Sequence, residues 1–380
     1  MSHYEVLKDS PKLRQYMKPE CCDECFAEGY HGQGHCKRCL QNIADNNEWI
    51  DTNLFIYDTS FRNYHSGAHE PFKAAKLRMP DEKPRLYYGL EVEVEFNEDT
   101  VSVCDARNGY DGAEEYVRKT LNTFSEKTHG LFCYEEDGSL DNGIEFISRP
   151  CSYKFWTDPK TVEMLKDGFD YLIGRGAFTE QPSQNGLHIH ISKAFFTAPA
   201  APDKKKQVAE ECYKSFDWLF QYYQKELELI GERKYGQYCG SKTDKLRQAL
   251  RADSVSLGSN VSFATETKVT LKKGGMPACG DHEFAVNSTN NTIEARIFKS
   301  TVLVERMLAY VEIMRNFSHY VREGQATDTL DGILHTKENQ YLDKLLDMTA
   351  RAAKRAGKKF ELDKEIKDEL EFKFTSSRSR

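Results

Sequence analysis

The chain has 380 residues, 39% hydrophobic and 30% charged, with a formal net charge of −7. That size accommodates one large core or two smaller ones, and the mild acidity gives no global sign of nucleic-acid affinity. No stretch reaches the roughly 18 consecutive apolar residues of a membrane span, and Met1–Glu20 has no apolar signal-peptide core, so the expected location is the cytoplasm.

Residues 1–80 differ in character from the rest of the chain and are expected to form a small appended module. Cys22-x2-Cys25 and Cys36-x2-Cys39 set two close thiol pairs ten residues apart, the layout of a structural Zn²⁺ site with four thiolate ligands. Cys21, His31 and His35 are neighbouring alternatives for one ligand, and reduced or redox-active thiol pairs are the other reading of the same spacing. Docking to a protein partner or to a nucleic acid is one use for such a module, and the mixed charge around it does not choose between them.

A polar stretch ending near Pro84 marks the boundary of the next domain, expected over 85–325. Strand-like segments at 86–96, 131–135, 143–149, 186–192, 259–264, 283–287 and 291–298 alternate with helical ones, which gives an α+β class. Between them, Val208, Cys212, Phe216, Leu219, Phe220, Tyr223, Leu227 and Ile230 predict one amphipathic helix over Gln207–Ile230, with Asp203 as its N-cap. Val304, Leu308, Val311, Met314, Phe317 and Val321 predict a second. Both are expected to cover the apolar face of the sheet. A Lys/Glu-rich tail over 326–380, with Leu342, Leu345, Leu346 and Met348, reads as helical and partly exposed, ending in disorder at Thr375–Arg380. Cys104, Cys133, Cys151, Cys212, Cys239 and Cys279 lack partners at metal spacing and read mostly as small buried hydrophobes.

The chemistry is written into the strands. In Gly89–Phe96, Glu91, Glu93 and Glu95 alternate with Leu90, Val92 and Val94, so period two puts the carboxylates on one face. Alone, that pattern also describes a solvated strand. Gly186–Ser192 repeats it with His188, His190 and Ser192 opposite Leu187, Ile189 and Ile191. Thr292–Phe298 repeats it with Glu294 and Arg296, and Gly143–Ser148 adds Glu145 after the turn-like Glu136–Ser139. Carboxylates gathered on one sheet face repel unless cations neutralise them. Oxygen ligands favour Mg²⁺ or Mn²⁺, an imidazole among them tilts toward Mn²⁺, and Arg296 points to a nucleoside triphosphate held by the cations. There is no GxxxxGK[ST] loop, no dinucleotide-binding fingerprint and no Gly-x-Ser-x-Gly elbow, so ATP binding would fall to the sheet and its metals.

Taken in order, Gly89/Glu91/Glu93, Asp137/Gly138/Ser139, Glu145/Ser148, Gly186/His188/His190/Ser192, Asn287 and Glu294/Arg296 resemble the amidoligases of the carboxylate-amine ligase superfamily, which includes glutamine synthetase and glutamate-cysteine ligase. The resemblance spans about 85–325 and implies a mostly antiparallel sheet, its polar face the active site and its other face covered by helices. It implies Glu91, Glu93, Glu145, His188 and Glu294 as ligands of Mg²⁺ or Mn²⁺, and His190 and Ser192 beside the ATP phosphates. Arg296 would stabilise the transferring phosphoryl group, and Asp137 would bind metal or deprotonate the amine. Many members of this family are phage-encoded, which would place the protein in a host cytoplasm.

The implied reaction is ATP-dependent: a small-molecule or peptide carboxylate is phosphorylated to an acyl phosphate, and an amine then displaces phosphate. Two other readings are a non-catalytic, virion-associated binding protein that keeps the ligase fold, and a metal-dependent amide hydrolase on the same sheet.

Overall fold

The computed structural model describes residues 76–80, 82–106, 108, 110, 112–135, 137, 139–179, 185–235, 284–323 and 329–363, and, as backbone alone, 5–6, 107, 261–264 and 268–271. Cys22, Cys25, Cys36 and Cys39, with the expected zinc module, lie outside the described residues, as do Cys239, Cys279 and Thr375–Arg380.

The strands of the main sheet are β1 (Tyr88–Phe96), β2 (Phe132–Glu135), β3 (Gly143–Ser148), β4 (Ala177–Phe178), β5 (Gly186–Ser192), β6 (Val286–Ser288) and β7 (Thr292–Lys299). Their order is β6-β7-β5-β1-β3-β2, with the short β4 also on β1, and every pairing is antiparallel. Residues 259–264 were expected to join this set; Val261–Ala264 instead pairs with Lys268–Leu271 in a separate two-stranded sheet.

One face of the sheet is apolar. Leu90, Val92 and Val94 from β1, Leu187, Ile189 and Ile191 from β5, Ile144 and Phe146 from β3, and Ile293 and Ala295 from β7 are all at most 1% exposed. Helices bury them. At the β2 end, α2 (Ala113–Lys127) and α4 (Pro159–Gly174) bring Phe124 and Phe169 together at 5.3 Å, with Phe146 edge-on to Phe124 at 4.9 Å. Each such ring contributes about 2–3 kcal/mol through burial. The preceding short helices are α1 (Val103–Arg107) and α3 (Tyr153–Thr157). The start of α4 is set locally: Asp158 accepts hydrogen bonds from the amides of Lys160 and Thr161, and Pro159 occupies the first turn.

At the other end, α5 (Ala194–Thr197) leads to α6 (Lys205–Tyr222), α7 (Gln224–Ile230) and the long α8 (Val304–Glu323). The single helix expected over Gln207–Ile230 is therefore two. It breaks at Tyr223 (φ −98°, ψ 21°), whose ring is fully buried edge-on to Tyr222. Phe220, Tyr223 and Leu227 keep one buried face across the break, as their i, i+3, i+7 spacing expects. Nor does Asp203 cap α6: Pro202 starts a 3₁₀ turn, Pro202–Lys204, so winding begins before the predicted cap. The expected helix from Val304 is present, with Phe317 packed on Phe220 at 5.2 Å and Tyr310 stacked on Phe298 at 4.5 Å.

Beyond it, α9 (Leu330–Leu334) and α10 (Leu342–Arg355) insert Leu330, Ile333, Leu334, Leu342, Leu345 and Leu346 into the same core, while Met348 is exposed. No helix among the described residues is long and apolar enough to cross a membrane.

Candidate metal centre

The opposite face of the sheet carries charge, and register decides which charges meet. Glu294 of β7 lies opposite His190 of β5, His188 opposite Glu91 of β1, and Glu93 of β1 opposite Glu145 of β3. The last row continues to Glu135 of β2, opposite Glu145. Glu93, Glu135, Glu145 and Glu294 are at most 5% exposed, so they form a buried acidic field rather than a solvated edge. This is the step the alternation alone could not make.

His188, 1% exposed, lies at the middle of the field. Its Nδ1 is 3.3 Å from Glu91 Oε2, 3.8 Å from Glu294 Oε1 and 3.9 Å from Glu145 Oε1, and its Nε2 is 3.2 Å from Glu93 Oε1. Arg296 Nη1 donates to Glu294 Oε1 at 2.7 Å and approaches His188 Nδ1 at 3.2 Å. His190 bridges Glu91 Oε1 (3.1 Å) and the Thr292 hydroxyl (2.9 Å), and Asn287 donates to Glu294 Oε2 at 3.3 Å. Asp137, half-buried, accepts from the amide of Ser139 at 2.7 Å, which holds its carboxylate beside Glu93 and Glu145. Glu93 also accepts from the Gly186 amide. A Cβ at residue 186 would fall 2.0 Å from Arg233 Nη1 and 2.7 Å from His188 Nε2, so any larger residue there would displace these two side chains.

Burial pushes Glu93 up to about 8, helped by the negative charge of Asp137 and opposed by Arg233. Glu145 is also raised well above the ordinary carboxylate range, by burial and then by Glu91, Glu93 and Asp137. Burial, reinforced by Arg296, lowers His188 to about 4 and leaves a neutral ring able to donate a lone pair. Glu294 differs: burial raises it, but His190 and Arg296 outweigh that and hold the carboxyl below its ordinary value. Arg296 is raised in turn, because Glu294 outweighs the effect of burial.

These residues fit a divalent cation. Glu91/His190/Glu294, Glu91/Glu145/His188 and Glu93/Asp137/Glu145 are three groups whose ligand atoms lie within 4.8 Å of one another, linked through the shared Glu91 and Glu145. Oxygen donors with one or two imidazoles suit Mg²⁺ or Mn²⁺. His188 brings Nδ1 to within 3.3 Å of Glu91 Oε2 and 3.9 Å of Glu145 Oε1, and its buried Nε2 lies 3.2 Å from Glu93 Oε1 without the geometry of a hydrogen bond, so both ring nitrogens face the acidic field.

Glu91, Glu93, Asp137, Glu145, His188, His190, Glu294 and Arg296 thus converge on one face. Other residues of the motif series have different partners. The Ser192 hydroxyl donates to the Arg85 carbonyl and accepts from the Tyr87 amide, both at 3.2 Å, bracing the entry to β1. Glu95 accepts the backbone amides of Asp141 (3.0 Å) and Asn142 (2.8 Å), which anchors the turn into β3. Ser148 has the parity of the apolar face and accepts the Leu90 amide at 2.8 Å. Conversely, Ile147 and Cys133 fall on the charged face as a small apolar pair of their own.

Sequence reasoning passed over two residues. Glu135 was legible in principle, as the last residue of a predicted strand with the parity of Cys133. Arg233 carried no signal, because it follows α7 in a segment without periodicity.

Fold and site together define an α+β protein with a buried carboxylate–imidazole face suited to divalent cations. No protein-family model matches the chain, and no curated protein does. Among solved structures it is similar to the crystal structure of the complex between Prokaryotic Ubiquitin-like Protein Pup and its Ligase PafA, at a TM-score of 0.24 and 11% identity. The match covers 72% of this chain and 57% of that one. At that level of likeness the functional reading has to be carried by the site.

Proposed function

We propose that the protein is an ATP-dependent carboxylate-amine ligase that makes an amide bond through an acyl phosphate. The observation that carries the proposal is the convergence of three linked ligand groups with a fixed guanidinium on one buried sheet face. Glu91, Glu93, Glu145, His188, His190 and Glu294 would hold the cations. Bound divalent cations would neutralise the triphosphate and the substrate carboxylate, which otherwise repel.

The remaining work belongs to the chain. Arg296, locked by Glu294 at 2.7 Å, is a preorganised positive charge for the phosphoryl oxygens as the substrate carboxylate oxygen attacks the γ-phosphorus and ADP leaves. The amine nitrogen then attacks the acyl carbon, phosphate departs, and the amine proton passes to a carboxylate. Asp137 is the candidate base, because its half-buried carboxylate is oriented by the Ser139 amide at the margin of the field.

Purified protein is expected to turn over ATP only with Mg²⁺ or Mn²⁺, faster when the correct carboxylate and amine are both present. Glu91→Ala and Arg296→Ala should each abolish turnover while circular dichroism stays unchanged. Failure to bind ATP in the presence of either metal would overturn the ligase reading. Amide hydrolysis without ATP would replace it with the hydrolase.

A further inference from the structure

The metal-facing groups sit on strands, but β7 is not regular where it matters most. Its pairing with β5 shifts register between Ala295 and Phe298, so Arg296 and Ile297 occupy a bulge opposite His188. A bulge re-aims side chains, yet it also removes the ladder bonds that would hold them. On the side of β6 the Arg296 amide still donates to the Ala285 carbonyl at 2.9 Å, so it is toward β5 that another element must fix Arg296 and, through it, Glu294 and His188, both of which contact its Nη1.

The segment after α7 does this. Arg233, only 2% exposed, donates from Nη1 to the Arg296 carbonyl at 3.0 Å. Two residues earlier, the Gly231 carbonyl accepts the Lys299 amide at 2.7 Å, beyond the bulge. The approach is so close that a Cβ at residue 231 would lie 2.5 Å from the Ile297 carbonyl oxygen. The same guanidinium packs against Gly186, the β5 residue whose amide donates to Glu93. Arg233 thus touches the backbone of both strands that carry the imidazole and guanidinium groups, and its charge acts on Glu93.

We propose that Arg233 is a positioning residue of the metal centre, clamping the β7 bulge to β5 so that Arg296, Glu294 and His188 stay in register with Glu91 and Glu145. This rests on the metal-centre reading but not on the ligase chemistry. A positioning partner of this kind contributes to metal affinity through ligand geometry.

The clamp and the charge make opposite predictions, so Mn²⁺ binding to the protein alone, measured by titration calorimetry or by the electron paramagnetic resonance of free Mn²⁺, separates them. Arg233→Met should weaken Mn²⁺ binding by about tenfold or more if the clamp dominates. If the guanidinium acts only as a nearby positive charge, the same variant should bind Mn²⁺ more tightly, which overturns the proposal. Gly231→Ala disturbs the same bulge without changing any charge and should weaken binding in the same direction, which keeps the test open should Arg233→Met fail to fold. Arg233→Lys, with the charge but not the fork of donors, should fall between wild type and Arg233→Met. Arg306→Met, which removes the neighbouring ion pair to Glu232, should leave affinity unchanged.

Wild-type affinity in both Arg233→Met and Gly231→Ala overturns the proposal while sparing the metal centre. Wild-type protein that binds no Mn²⁺ overturns both. Mn²⁺ binding without any binding of ATP overturns only the ligase reading, and the variant series still decides the clamp.

Discussion

Two buried acidic centres in this molecule are built in opposite ways. On α8, Glu312 is fully buried, yet it accepts from the Tyr153 hydroxyl at 2.6 Å and from the backbone amides of Gln340, Tyr341 and Leu342 at 2.8, 2.9 and 2.7 Å. It caps the start of α10 from another helix, supplying the acceptors that the first turn of α10 lacks. On the sheet face, Glu145 meets His188 at 3.9 Å and otherwise faces the charges of Glu91, Glu93, Asp137 and Glu135. A buried carboxylate surrounded by donors is part of the scaffold; buried carboxylates that face one another require a cation or a proton. Glu95 confirms the distinction within a single strand. It alternates with Glu91 and Glu93, but two backbone amides make it a turn anchor.

The comparison can be broken by stability measurements. Glu312→Gln should lose about 3 kcal/mol in urea denaturation, because the amide group confronts backbone donors that a carboxylate satisfied. Loss of less than a third of that would mean the α10 cap is dispensable. Glu145→Gln should have the opposite sign, stabilising the metal-free protein by about 1–2 kcal/mol through relief of like-charge repulsion. In the same variant Mn²⁺ should no longer raise the melting temperature, whereas it should do so in wild type. A destabilised Glu145→Gln protein that still responds to Mn²⁺ would remove Glu145 from the metal centre.

The smallest expected effect is a pH dependence. Glu93 is raised from 4.5 to about 8, so between those values the folded state holds a proton that the unfolded state has released. Its contribution to stability is complete below the unfolded value and is lost as pH rises through the folded one. His188, lowered from 6.5 to about 4, acts with the opposite sign and only below 6.5, where stability falls as pH falls. From pH 6.5 to 8, metal-free protein should therefore lose up to about 1 kcal/mol per pH unit. Glu93→Gln should reduce that slope without removing it, because Glu145 is raised likewise and acts with the same sign, and saturating Mn²⁺ should abolish it. A metal-free protein that gains stability over this interval would show that the field is already neutralised by other means.

Much of this was present in the one-dimensional pattern. Alternation is a property of the strand itself, so Glu91, Glu93, His188, His190, Glu294 and Arg296 could be assigned to one face before any pairing was known. The apolar period of Val304–Glu323 likewise defined a helix, because the buried stripe and the element share one local repeat. What pattern could not supply was whatever depends on a neighbour distant in the chain. The antiparallel register sets Glu93 beside Glu145 and Glu145 beside Glu135, turning separate solvated-looking strands into one field. The β7 bulge and the arrival of Arg233 decide where Arg296 stands, and backbone groups from elsewhere engage Glu95, Ser148 and Ser192. Period two determined which face each carboxylate occupies; only tertiary pairing, which sets the donors and charges around each one, decided which of them gather into one buried field.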